Sequence, residues 1–229
     1  MACRKVLYLG EPLLRESAQP VAKITPEIAQ LIDDMVVTML EAPGLGLAAP
    51  QVGEGLRIIV ARCPSVQDED DDEEEGEDGE EAAPAGEEED EDEEVEVLVL
   101  VNPEVLDRSE ELIPRKEGCL SLPTLQGIVS RPAEVTIRGL DHQGDKMELR
   151  AGGLMARILC HEIDHLDGVL FVDQVDPETL CWLVPDEDAE GGFREDPTTI
   201  EEVEARFERL RERRAARQAG EAQGAPPCA

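Results

Sequence analysis

His161-Glu162-Ile163-Asp164-His165 is the stretch on which the reading of this chain turns. On an α-helix of about 3.6 residues per turn, positions i and i+4 lie one above the other, so both imidazoles can reach a single divalent cation. Glu162 projects to the flank of that face, where its carboxylate can hold and deprotonate a water at the metal. Gly152-Gly153 before the pentad and Gly168 after it predict a helix over about 153 to 167. Taken alone, the pentad also fits two histidines on an ordinary amphipathic helix.

Two further segments bear on that choice. Glu117-Gly118-Cys119-Leu120-Ser121-Leu122-Pro123 offers one cysteine between a glycine and a short apolar run. A thiolate there would complete a Cys/His/His set, three protein ligands with a fourth position left for water; the plain alternative for Cys119 is a small buried hydrophobe. Gly44-Leu45-Gly46-Leu47-Ala48-Ala49-Pro50-Gln51-Val52-Gly53 reads as a glycine- and alanine-rich turn ending on one amide. It contains no Lys, Ser or Thr, so a phosphate cradle is excluded. Its small residues let a peptide backbone approach, and Gln51 can donate to an oxyanion.

In this order and at these separations the three segments resemble the peptide deformylase family, whose motifs run GxGxAAxQ, EGCLS and HExDH. Here they read GLGLAAPQ (44 to 51), EGCLS (117 to 121) and HEIDH (161 to 165). The likeness extends from Leu13-Leu14-Arg15 through Asn102-Pro103 and Arg131-Pro132 to Leu170-Phe171. It implies that Cys119, His161 and His165 ligate a divalent metal, iron(II) by family preference, with zinc, nickel or cobalt also suited to such donors. It implies that Glu162 is the general acid and base, and that Gln51 and the backbone N–H of Leu120 hold the formyl oxygen. Leu45, Gly46 and Gly118 would present backbone groups to the substrate peptide, and the methionine side chain would lie near Leu154, Ile158 and His161. Asp164 is expected to be structural, pairing with Arg131. The implied reaction removes the formyl group from N-formylmethionyl nascent chains and releases formate.

Two positions depart from the family pattern: Cys160 stands where glutamine is common, and Gln126 where many relatives place a substrate-orienting arginine. Neither removes a ligand or the base. A zincin-type endopeptidase would share HExxH but needs a third ligand downstream, and no His follows His165, which leaves weak candidates such as Glu178. A non-enzymatic binding module on the same scaffold would be expected to have lost a ligand or the base, and all are present.

Periodicity gives the expected fold class, α+β, with antiparallel strands packed around a central metal-binding helix. Thr25 and Pro26 predict the start of a helix whose Ile28, Leu31, Ile32, Met35, Val36 and Met39 form one apolar stripe. Strand-like runs are expected at 56 to 62, 95 to 101, 104 to 112, 133 to 140 and 146 to 150. A last helix is expected from Thr198 or Thr199 to about 218.

The formal net charge of the 229 residues is -34, and residues 68 to 94 hold 20 Asp and Glu with no Lys or Arg. Such a segment cannot bury enough apolar surface to fold alone, which predicts a disordered acidic insert at about 67 to 94 in the loop of a hairpin. The expected organisation is a catalytic domain over 1 to 183, a linker over 184 to 197, a basic helix over 198 to 218 and a disordered tail over 219 to 229. Six cysteines without a CxxC pair indicate neither a zinc ribbon nor a disulfide framework. No apolar stretch is long enough to span a bilayer or serve as a secretory signal. A cytoplasmic monomer with no DNA or membrane partner is therefore expected. Residues 206 to 217 carry six Arg against Glu208 and Glu212. They read either as a solvated face with i,i+4 ion pairs or as a docking element for ribosomal RNA.

Overall fold

A computed structural model describes residues 2–42, 44–64, 95–186 and 189–223 of the chain. Helix α1 (Pro26–Glu41) starts as its sequence predicts, with the Thr25 hydroxyl accepting from the Ile28 N–H and Pro26 in the first turn. Strands β1 (Gly46–Ala48), β2 (Ile58–Arg62), β3 (Val97–Arg108), β6 (Glu134–Leu140) and β7 (Lys146–Gly152) form an antiparallel sheet in the order β1-β2-β3-β6-β7. A second antiparallel sheet has the order β4-β5-β8-β9, from β4 (Leu112–Cys119), β5 (Leu122–Pro132), β8 (Cys181–Pro185) and β9 (Phe193–Pro197). The remaining α-helices among the described residues are α2 (Gly153–Leu166) and α3 (Ile200–Gln223).

The first sheet is covered on both faces, and the pleat of β2 explains how. Ile58 and Val60 join Leu31, Ile32, Met35 and Met39 of α1 in one buried cluster. Ile59 and Ala61 point the other way, into a cluster with Ala156, Leu159, Cys160, Ile163 and Leu166 of α2. Helix α2 thus spends its apolar stripe on the first sheet and turns Arg157 and His161 toward β4 and β5, where both find partners. A third cluster joins Leu122, Leu125 and Val129 of β5 to Leu170, Phe171, Trp182 and, from α3, Val203 and Phe207.

The α+β class and the β2–β3 hairpin are as expected, with Ile58 opposite Val101 and Arg62 opposite Val97. The runs 95 to 101 and 104 to 112 are instead largely one strand, β3, kinked by register shifts after Val101 and Val105. Asn102, at φ 54, makes the kink tolerable by pairing its side chain with the Val21 N–H at 2.7 Å and the Val21 carbonyl at 2.8 Å. The stretch 184 to 197 is not a plain linker, since most of it builds the β8–β9 hairpin. Its polar composition misleads because β9 is an exposed edge strand, where charge and a terminal proline are tolerated.

Helix α3 extends to Gln223, so the expected tail from 219 begins inside it. Nor is α3 a solvated appendage. Beside the buried Val203 and Phe207, Arg206 stacks over Trp182 at 4.1 Å and Arg214 over Tyr8 at 4.4 Å, while Arg211 donates to the Gly10 carbonyl at 2.9 Å. The expected acidic insert lies outside the described residues. Among those residues no helix is long and apolar enough to cross a membrane.

Candidate active site

Cys119 ends β4 at the tight turn into β5, where it pairs with Leu122. That turn faces the C-terminal half of α2. The Cys119 Sγ lies 3.2 Å from His165 Nε2, and ligand atoms of Cys119, His161 and His165 all fall within 4.8 Å of one another. The two imidazoles stand 5.1 Å apart between centroids, as the i,i+4 spacing requires. His161 Nδ1 lies 3.0 Å from Glu117 Oε2, so its proton belongs there and Nε2 is left free for a cation.

Glu117 is itself held on several sides. Burial would raise its pKa, but the bonds from His161 and Arg131 outweigh burial and hold it at about 2. Arg131 meets it in a fork, Nε to Oε1 and Nη2 to Oε2 at 2.9 Å each, and uses Nη1 on Asp164. Asp164 therefore pairs with Arg131, as expected. Phe171 stacks on the His161 ring with centroids 6.3 Å apart.

Glu162 differs from Glu117 in having no cation against it. It is buried, its Oε2 has no hydrogen-bond partner among the described residues, and burial pushes its carboxyl up to about 7. That is a range in which a carboxyl both accepts and releases protons near neutrality. Room for it depends on Gly46, where an added Cβ would fall 2.5 Å from Glu162 Oε1. The Gln51 amide is fixed by the Ala48 N–H, which donates to Oε1 at 2.7 Å. Its Nε2 then points to Ser121 Oγ at 3.3 Å and to Cys119 Sγ at 3.6 Å.

A cavity of about 270 Å³ opens onto Cys119, His161, Glu162 and Gln51, with His165 behind its lining. Leu45, Gly46, Gly118, Leu154 and Ile158, the residues expected at the substrate, line it with Gln51, Cys119, Leu120, His161 and Glu162. Gln126 lies on the same wall. Glu117 and Arg157 also line it, and sequence reasoning gave neither a role. The available signal was Arg157 one helical turn before His161, a charge on the face that also carries the ligands. A cysteine sulfur, two imidazoles with one oriented from behind, and an unpaired buried carboxylate beside them suit a divalent metal.

The family model described as polypeptide deformylase matches residues 3–180. The chain belongs to the polypeptide deformylase family. It is 38% identical to the peptide deformylase of Mesorhizobium japonicum over 175 residues, covering 76% of this chain and 85% of that one. To the enzyme of a Bradyrhizobium species it is 42% identical over 173 residues, 76% and 87% of the two chains. Among solved structures it resembles the Legionella pneumophila peptide deformylase with TM-score 0.61, 37% identity and coverage of 77% and 88%. It resembles the Met-Ala-Ser-bound enzyme from Acinetobacter baumannii with TM-score 0.62, 36% identity and coverage of 76% and 99%. The chain is accordingly a metal-dependent hydrolase that removes the N-terminal formyl group from nascent peptides.

Proposed function

We propose that deformylation takes place in this cavity, with Cys119, His161 and His165 as the metal ligands and Glu162 as the proton carrier. The convergence of three soft and borderline donors with one unpaired buried carboxylate carries the reading. A divalent metal held there supplies Lewis acidity toward the formyl oxygen and makes a water acidic enough to attack near neutral pH. Glu162 accepts the proton of the attacking water and returns it to the leaving amine, so formate and a free N-terminus result. The Gln51 Nε2–H and the Leu120 backbone N–H hold the formyl oxygen as it gains charge; the Ala48 N–H bond fixes the Gln51 amide before that moment. Cys119 acts as a ligand and not as the nucleophile. Leu45, Gly46 and Gly118 offer backbone groups to the peptide, while Leu154, Ile158 and the His161 ring receive the methionine side chain. The tripeptide-bound Acinetobacter structure and the Synechococcus elongatus deformylase in complex with actinonin support a peptide-shaped cleft.

Iron(II) is the metal we assign, with zinc, nickel and cobalt accepted by the same donors. The test is metal analysis together with formate release on anaerobically prepared protein. Cys119→Ser and His161→Ala should lower metal content and activity together, whereas Glu162→Gln should keep the metal and lose turnover. Normal formate release by metal-loaded Glu162→Gln protein would refute the base assignment. A ferrous thiolate site should inactivate in air, and nickel or cobalt replacement should protect it; equal air stability of the iron and nickel forms would argue against a solvent-open ferrous thiolate, while metal analysis decides which metal is native.

We place the enzyme in the cytoplasm as a monomer that docks transiently on the ribosome through α3. Of its exposed arginines, Arg206 and Arg211 also hold the helix to the body, as does the half-buried Arg214, whereas Arg209 and Arg213 make no such contact among the described residues. Arg206 remains solvent-accessible above Trp182 and can serve both purposes, and Arg217 is the last arginine of the stretch 206 to 217. Changing Arg209 and Arg213 to Glu should abolish low-salt co-sedimentation with ribosomes while sparing hydrolysis of a short formyl-methionyl peptide. Unaltered co-sedimentation would return α3 to a packing role alone.

A further inference from the structure

Arg157 is a buried charge that the chemistry above does not use. It lies on α2 one turn before His161 and only 7% of its surface is exposed. Its Nη1 donates to Glu117 Oε1 at 2.6 Å and to the Val129 carbonyl at 2.9 Å, and its Nη2 donates to the Ile113 carbonyl at 2.6 Å. Ile113 belongs to β4 and Val129 to β5, so one guanidinium ties both strands of the hairpin that ends in Cys119 to the helix that carries His161 and His165.

The same guanidinium closes the cage around Glu117. Arg131 forks onto that carboxylate at 2.9 Å, and His161 Nδ1 takes Oε2 at 3.0 Å. Two carboxylates, Glu117 and Asp164, thus balance two guanidiniums, and Arg157 supplies the pull on Oε1 that leaves Oε2 facing the histidine. Only a planar fork can reach a carboxylate and two carbonyls on neighbouring strands at once; a lysine ammonium is a single point that cannot span them.

We propose that Arg157 is a positioning residue of the metal centre, which sets the separation between Cys119 and the two histidines and the orientation of Glu117 toward His161. The proposal rests on Cys119, His161 and His165 being the ligands. Were Arg157 only a structural ion-pair partner, Arg157→Leu would cost stability by taking a donor from Glu117 and from two carbonyls, while the folded protein would bind metal with unchanged affinity and spectrum.

Cobalt(II) titration of metal-free protein separates these readings, followed by the absorption of the thiolate-bound ion and by the dissociation constant. Arg157→Leu should weaken cobalt(II) binding by about 10- to 100-fold, the loss typical when an outer partner of a ligand is removed. Arg157→Lys, which keeps a bond to Glu117 but not both carbonyls, should fall between it and the unaltered protein. Both should shift the cobalt spectrum. Should Arg157→Leu fail to fold, Arg157→Lys decides by the same two readouts. Unaltered affinity and spectrum in whichever variant folds would overturn the proposal. Cys119→Ser protein run alongside must lose the thiolate absorption; if it does not, the ligand assignment fails, and not the role of Arg157.

Discussion

Replacing Gly46 by alanine tests the placement of Glu162 with a single methyl group. An added Cβ would lie 2.5 Å from Glu162 Oε1, 2.8 Å from its Cγ and 2.9 Å from its Cδ. Ordinary contact begins near 3.4 Å, so the carboxylate must retreat by about 0.9 Å, and the whole arm moves because three of its atoms are struck. Misplacing a reacting group by about 1 Å can cost roughly 10²-fold, or about 2.7 kcal/mol on the barrier. The backbone at Gly46 is not left-handed, so alanine fits the strand and reduces the freedom of the unfolded chain. The expected outcome is therefore a kcat lower by about 10²-fold, with stability within about 1 kcal/mol of the parent and unchanged metal content. Formate release under saturating substrate, metal analysis and thermal unfolding read the three quantities separately. A kcat within about twofold of the parent would refute the reasoning, because Glu162 would then be either elsewhere or not the base.

Three further outcomes follow from the packing and the charges. Phe207→Ala should destabilise the fold by about 3 to 5 kcal/mol, since its side chain is buried beside Trp182 and Tyr8; a loss under about 1 kcal/mol in denaturant titration would return α3 to an appendage. Glu117 is held at about 2 against its usual 4.5, so the stability its ionised form contributes is whole above about pH 4.5 and drains away as pH falls toward 2. Metal-free Glu117→Gln protein should lose that part of the acid slope, and equal slopes in the two proteins would count against an ionised Glu117. Deleting residues 68 to 94 and joining β2 to β3 by a short turn should leave small-substrate turnover and metal content nearly unchanged, because the hairpin register is carried by Ile58–Arg62 and Val97–Val101. Loss of the metal on that deletion would make the acidic segment structural.

By itself the sequence determined the family, the candidate site residues and much of the frame that holds them. The pentad 161 to 165, one cysteine in EGCLS and one glutamine after a glycine-rich run are local patterns, and local patterns are what the chain spells out residue by residue. Helices α1 and α2 were legible because each has an apolar stripe of helical period and a start signal. Strands β4 and β5 were not, although they carry Cys119. Glu117 and Arg131 are buried there as a pair, so the usual equation of polar with exposed hides the alternation. Strand β9 was missed for the opposite reason, being an edge that never needed apolar residues. The arginines of α3 could be counted in the sequence, but not assigned. Whether a guanidinium faces solvent or lies over Trp182 or Tyr8 depends on partners some 20 to 200 residues away along the chain, and only the folded packing brings them together. For the same reason the cage around Glu117, in which Arg157 joins helix to hairpin, is a property of the tertiary structure alone: each of its bonds spans 14 or more residues of chain, and no local propensity specifies it.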